Sequence, residues 1–216
     1  MENPRSPTLP ARTRREMQAE TRARLMQAAL QIIAARGVAA ASIRGICDAA
    51  GFSQGAFYSN FASKDDLLIA LIQDHMAGLV DDLDRTIAQT EGLSLQDSLA
   101  LVLPKFTTLA QMPAASVVVV ELHLHARRSP SFAKRFAPVR QAYQAQFTRI
   151  TQHLIARHDL RPSVPAPQIA WAMTAFWSGA VTQAAPDEAT GFEALMARLF
   201  ESLTGAADQT PKTTRA

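Results

Sequence analysis

The segment that begins at Ser42 constrains the fold of this chain most, because its pattern predicts two short helices joined by one glycine. Ser42 supplies a side-chain oxygen at the start of the first helix, and Gly51 follows the last turn, where positive φ is favoured. Ser53 has the same capping position before a second helix, on which Phe57 and Phe61 share one face. The spacing predicts two helices that meet at a sharp turn, a helix-turn-helix.

Two longer helices are predicted to flank this pair. Upstream, an amphipathic pattern begins at Thr21 and stops at Gly37, which indicates a helix ended by glycine. Downstream, Ser63 and Asp66 have the spacing of a capping box directly before an apolar run. A long helix is therefore expected over residues 64–89, and the three helices before it form one compact unit.

The second short helix leaves polar and small residues toward solvent, namely Gln54, Gly55, Tyr58 and Ser59. Residues in this position are available to the major groove of DNA. Residues 1–64 also contain nine Lys or Arg and four Asp or Glu, a net charge of +5, whereas the whole chain carries +3. Helix-turn-helix patterns and charged faces each occur in proteins that do not bind DNA, but their coincidence favours a phosphate-binding surface.

From Arg22 to Leu68 the chain resembles the N-terminal domain of the tetracycline-repressor (TetR) family of bacterial regulators. The resemblance rests on the Ala28-Ala29 pair, the Ile-x-x-Ala-Ala-Gly-Phe-Ser run at 46–53, Phe57-Tyr58-x-x-Phe61 and Ser63-Lys64. It implies an all-α homodimer with a three-helix DNA-binding head and a larger helical body for effector binding and dimerisation. We place the head at 13–66, the body at 67–205, and flexible tails at 1–12 and 206–216.

The resemblance also implies which residues contact DNA. Base contacts are expected from Gln54, Gly55 and Ala56, in the first turn of the recognition helix, and Ser53, which caps this helix, is also expected to bind DNA. Phosphate contacts are expected from Ser42, Arg44, Tyr58 and Lys64. Two features depart from the family pattern: Gly45 replaces a helix former, and the pair Ser59-Asn60 replaces bulkier residues.

Prolines and glycines divide the rest of the chain into further helices. We expect these near 94–113, 114–127, 130–155, 168–185 and 188–203. The valines at 117–120 favour a strand by propensity alone, but their flanking pattern favours a buried helix. The resemblance assigns dimerisation to the last two helices, with an apolar seam formed by residues 171–181, Phe192, Leu195 and Leu199.

Apolar residues with a few polar tips on candidate inward faces predict a small-molecule pocket in the body. The candidate ligand-binding residues are Phe106, His123, Tyr143, Phe147, Met173 and Trp177. The ligand is expected to be mostly apolar and at most weakly charged, with hydrogen bonds to His123 or Tyr143. A core or subunit-interface role is the other explanation for the aromatic stretch at 171–177.

No residue pattern indicates catalysis. His123 and His125 lie about 200° apart on a helix and so do not share a metal. Glu121 and His125 do share a face, and three roles stay open for them: metal ligands, a polar handle in a pocket, or a surface pair. The sequence also lacks a phosphate-binding glycine loop, a Gly-x-Ser-x-Gly elbow and Cys-x-x-Cys. We therefore expect no enzyme activity, no cofactor and no metal, and a packing role for Cys47.

The sequence thus favours a ligand-responsive transcriptional repressor. Its expected partners are a palindromic double-stranded DNA operator, a second copy of the chain, and a small-molecule effector that releases the operator. No membrane partner is expected, because no apolar run of membrane-spanning length is present, and the location is expected to be cytoplasmic. Two alternatives stay open: a DNA-binding regulator that responds to a protein partner, and a helical interaction module or enzyme that shares the head.

Overall fold

The structure, a computed structural model, describes residues 13–110, 113–183 and 191–205. The predicted flexible tails at 1–12 and 206–216 lie outside these residues. Within the described part of the chain all regular structure is helical, which confirms the predicted fold class. The helices are α1 Arg14–Ala40, α2 Ile43–Ala50, α3 Gln54–Tyr58, α4 Lys64–Ala88, α5 Leu95–Ala110, α6 Pro113–Arg128, α7 Pro130–Arg157, α8 Ala166–Gln183 and α9 Phe192–Thr204.

Serine caps fix the starts of α2, α3 and α4, as the sequence predicted. Each serine hydroxyl accepts a hydrogen bond from the backbone N–H three residues later, at 3.0, 3.2 and 3.1 Å for Ser42, Ser53 and Ser63. Gly51 ends α2 with φ 73°, in the left-handed region that glycine adopts without strain. These local bonds satisfy N–H groups that a helix start otherwise leaves unpaired, so the head has well-defined helix boundaries.

The first helix contains a break at the glycine that was predicted to end it. Gly37 has φ 77° and ψ 168°, a conformation that is essentially restricted to glycine, and helical turns continue to Ala40. The break leaves the backbone N–H of Val38 without a partner in α1. That N–H donates to the Glu121 carboxylate of α6 at 3.0 Å. The contact joins the head to the body, and α1 packs more extensively against α6 than against α2, α3 or α4.

The body is built around α4, which continues from the head without interruption. Its apolar face packs against α5, α6 and α7, while α8 and α9 pack against each other and against α7 and α5 respectively. The valine-rich stretch is helical, since Val118 and Val119 are buried within α6. Tertiary burial here overrides the preference of valine for strands.

Two further expectations concern the role of Cys47 and the possibility of a membrane span. Cys47 is almost fully buried, and burial, with a smaller contribution from Asp48, raises the pKa of its thiol, which fits a packing role. No helix among the described residues is long and apolar enough to cross a membrane.

Gly37→Ala should lower the free energy of unfolding by about 1–3 kcal/mol, because alanine is strained at this φ and ψ. A Cβ there would also lie 2.9 Å from Oε2 of Glu121. Gly78→Ala is the matched control: its Cβ would meet no atom within 4 Å in the interior of α4. The free energy of unfolding of the control should rise by about 0.5–1 kcal/mol, because alanine favours a helix interior more than glycine does. Urea unfolding measures both changes, and a Gly37→Ala protein as stable as the control would contradict this interpretation.

Candidate functional site

The exposed face of α3 carries the residues that were predicted to contact bases. Gln54 and Gly55 are exposed and Ala56 is half-buried. Tyr58 is 56% exposed, although it lies next to Phe57, which is completely buried. The two rings meet edge to face with centroids 5.5 Å apart. The buried ring therefore anchors α3, and the polar and small residues remain open to a partner.

The predicted phosphate-binding residues differ in solvent exposure and in the contacts that they make within the head. Arg44 is highly exposed and pairs only loosely with Asp48, at 3.8 Å. Lys64 is half-buried instead, and its Nζ donates to the carbonyl of Val38 at 3.1 Å. The sequence had no local signal for this contact, because the two residues lie on different helices. Lys64 thus helps to hold α4 against the end of α1.

Two arginines that were counted in the positive charge of the head are used inside it. Arg22 donates to the carbonyl of Asn60 at 3.0 Å, and its guanidinium lies 4.2 Å from the ring centroid of Phe61. Arg24 donates to the carbonyl of Ala50 at 2.8 Å. Both arginines tie α1 to the backbone around α3 and α2. Part of the charge asymmetry therefore stabilises the head and is not free for phosphates.

A cavity of about 240 Å³ lies in the body between α4, α5, α6, α7 and α8. Five of the six predicted ligand-binding residues border it: Phe106, His123, Tyr143, Phe147 and Trp177. The sixth, Met173, borders a smaller neighbouring cavity of about 40 Å³. Helical spacing in the sequence therefore identified five residues that line one cavity, although these residues come from four helices.

A hydrogen-bonded pair forms the polar part of the cavity wall. Nδ1 of His123 lies 2.8 Å from the carbonyl oxygen of Val119, which only accepts, so Nδ1 carries a proton. In the neutral imidazole Nε2 then accepts from the Tyr143 hydroxyl, 2.9 Å away. Burial raises the pKa of Tyr143 to about 12, against an opposing effect of Arg140, so the hydroxyl stays protonated at neutral pH.

Two further polar residues of the cavity were missed by the sequence analysis. Arg140 and Gln144 border the cavity from α7, where they are four residues apart, and Phe147 follows on the same face three residues after Gln144. That spacing was the signal that could have found them. Arg140 is exposed, whereas the amide nitrogen of Gln144 is buried and has no hydrogen-bond partner.

The two tryptophans occupy opposite environments at this cavity. Trp177 is buried and its Nε1–H donates to the carbonyl of Phe106 at 3.0 Å. Trp171 also borders the cavity but is 66% exposed. One ring is therefore fixed in the wall, and the other lies at the rim.

Glu121 and His125 have a role that none of the three open alternatives anticipated. Both face the head: Glu121 accepts from Val38, and Nε2 of His125 lies 3.8 Å from Oδ1 of Asp65 at the start of α4. Neither residue borders the cavity. The described residues contain no group of three potential metal ligands. The pair lies between the body and the head.

A second contact between body and head involves α7. Arg135 pairs with Asp66 and donates to the Ser63 hydroxyl at 3.3 Å. The hydrogen bond from Ser63 lowers the pKa of Asp66, and Arg135 acts in the same direction. The start of α4 is thus held by α6 and α7 together.

These features define a class of protein: an all-helical chain with a helix-turn-helix head and a body that encloses a cavity. Residues 25–71 match the model of the family described as "Bacterial regulatory proteins, tetR family". This match confirms, over this part of the chain, the resemblance seen in the sequence.

One curated protein is similar to this chain over part of its length. The fatty acid metabolism regulator protein of Bacillus subtilis (strain 168) is 28% identical over 100 residues, which cover 46% of this chain and 50% of that protein. The alignment thus spans half the length of this curated relative.

Two solved structures share the fold. The fatty acid degradation regulator FadR from Bacillus halodurans has a TM-score of 0.70 at 19% identity and covers 83% of this chain and 94% of its own. FadR from Bacillus subtilis, in complex with stearoyl-CoA, has a TM-score of 0.64 at 21% identity, with coverage of 84% and 97%. The family and the curated relative are regulators, not enzymes, in agreement with the sequence prediction.

Proposed function

We propose that the protein is a ligand-responsive transcriptional regulator that binds DNA through α3 and binds an effector in the body cavity. The observation that carries the proposal is the position of α6. This helix contributes Val119 and His123 to the cavity, and it holds the head through the hydrogen bond from Val38 to Glu121, with His125 facing Asp65 beside it. A shift of α6 on ligand binding would therefore reach the head directly.

We propose that the regulator acts as a homodimer on a palindromic operator. Large apolar side chains remain exposed on the last two helices, notably Trp171 on α8 and Leu195 on α9, which is 57% exposed. Phe176 and Phe192 stack across the same two helices with centroids 5.6 Å apart. A second copy that covers this surface would place two heads on half-sites about 34–36 Å apart.

We propose an effector with an apolar chain of the fatty acyl type. Support comes from the apolar walls of the cavity and from the similarity to fatty acid regulators, one of which was solved with stearoyl-CoA. Binding should favour the DNA-free arrangement by about 1–3 kcal/mol, the usual scale of such coupling. Release of the operator by the effector makes the protein a repressor.

The first functional prediction concerns the DNA-binding face. Gln54→Ala should change the preferred sequence, because it removes a side chain placed to read a base edge. Arg44→Ala should weaken binding to all sequences about equally and reduce the salt slope by about one, because it removes one phosphate contact. Selection from random DNA, followed by titrations at several salt concentrations, measures both effects.

The two variants are controls for each other, since both residues are exposed and neither substitution opens the core. A selection that enriches no palindrome would contradict the proposed DNA recognition. Equal changes in sequence preference for both variants would contradict the separate roles of Gln54 and Arg44.

The second functional prediction concerns dimerisation. Leu195→Arg should shift the protein to monomers at micromolar concentration, because it places a charge in the proposed apolar interface. Leu93→Arg is the matched control, since Leu93 is an exposed leucine in the α4–α5 connection, far along the chain from α8 and α9. Analytical ultracentrifugation should show dimers for the control, and a monomeric unmodified protein would refute the proposal.

A further inference from the structure

We infer that the cavity binds the effector by a carboxylate, which Arg140 and Gln144 hold at the rim while an apolar chain fills the interior. This inference rests on the proposed function, because it names the chemical class of the proposed effector. It differs from the sequence expectation of an uncharged or weakly charged ligand. The residues that carry it are two donors on one face of α7.

The first observation is which of the arginines in α7 have a polar partner. This helix contains four arginines and no Asp or Glu. Three of the four have partners: Arg135 pairs with Asp66, Arg149 with Asp84, and Arg157 donates to the Thr90 hydroxyl at 2.8 Å. Arg140 is the fourth. Within the described part of the chain no carboxylate pairs with it, and it borders the cavity.

The second step is the unpaired amide of Gln144. Its nitrogen is buried without a hydrogen-bond partner, one helical turn from Arg140. A buried donor without an acceptor is costly, so a ligand oxygen at this position would be favourable. The nearby Tyr143 hydroxyl donates its proton to His123 and does not compete for that oxygen as a donor.

Together, the two residues match a carboxylate. Residues four apart on a helix lie about 5–6 Å from each other at their Cβ atoms, so a guanidinium and an amide can reach the two oxygens of one group. The rest of the wall suits a hydrocarbon chain, since it includes Met76, Leu79 and Phe147. The exposed position of Arg140 keeps the charged end at the rim, where solvation of the carboxylate is retained in part.

Arg140 would also attract a phosphate, such as those of an acyl-CoA, so the probes must separate these two anions. Decanoic acid carries the chain and a carboxylate. Decanol carries the chain without charge, and decanoyl-CoA carries the chain as a thioester with phosphates beyond it. Isothermal titration calorimetry on the full chain gives an affinity for each probe.

Arg140→Gln should weaken decanoate binding by about ten- to a hundredfold, since hydrogen bonds to a charged group are lost, and should leave decanol unchanged. Gln144→Leu should weaken decanoate by a smaller factor. Arg149→Gln is the matched control, because Arg149 lies on the same helix, pairs with Asp84 and does not border the cavity. It should bind all three probes as the unmodified protein does.

Equal affinities for decanoate and decanol would overturn the inference, as would an equal loss for both in Arg140→Gln. Binding of decanoyl-CoA alone, with dependence on Arg140, would assign the residue to phosphates and also overturn it. Operator titrations distinguish a failure of this inference from a failure of the proposed function. Release of the operator by decanol, independent of Arg140, would support a ligand-responsive regulator and contradict the carboxylate site. Arg140-dependent binding of decanoate without release of the operator would support the carboxylate site and contradict the proposed regulator.

Discussion

The hydrogen bond between the Val38 N–H and the Glu121 carboxylate is the contact through which α1 of the head is tied to α6 of the body. It exists because Gly37 adopts a conformation reserved for glycine and so leaves one N–H of α1 unpaired. A buried or half-buried N–H needs an acceptor, and here the acceptor comes from α6. The orientation of α1, and with it the helix-turn-helix, therefore depends on the position of α6.

Helix α6 is also a wall of the cavity, so a single element faces both the cavity and the head. Opposite faces of α6 serve the two: Glu121 and His125 face the head, and His123, about 200° around the helix from each, faces Tyr143. We propose that a ligand in the cavity that displaces the His123–Tyr143 pair shifts this helix. Coupling between the cavity and the head would then require only two positions of α6 that differ in their contacts with Val38 and Asp65.

Local signals in the sequence predicted most of the fold. The serine caps, Gly51 and the helical periodicity are short-range features, and the structure has them where they were expected. Five cavity residues were found because aromatic and polar tips stood out at helical spacing. Arg140 and Gln144 were missed, since polar residues in an amphipathic helix are usually solvated. The partner of Glu121 lies 83 residues away, so no local pattern could identify it.

The central claim, that Glu121 transmits ligand binding to the head, is tested most directly by the operator affinity with and without saturating ligand. The ligand is whichever of decanoic acid, decanol and decanoyl-CoA binds most tightly. Glu121→Ala should still bind this ligand, but the ratio of the two operator affinities should fall towards one. Glu91→Ala, at an exposed position outside the helices, should keep the ratio of the unmodified protein. An unchanged ratio in Glu121→Ala would contradict the account.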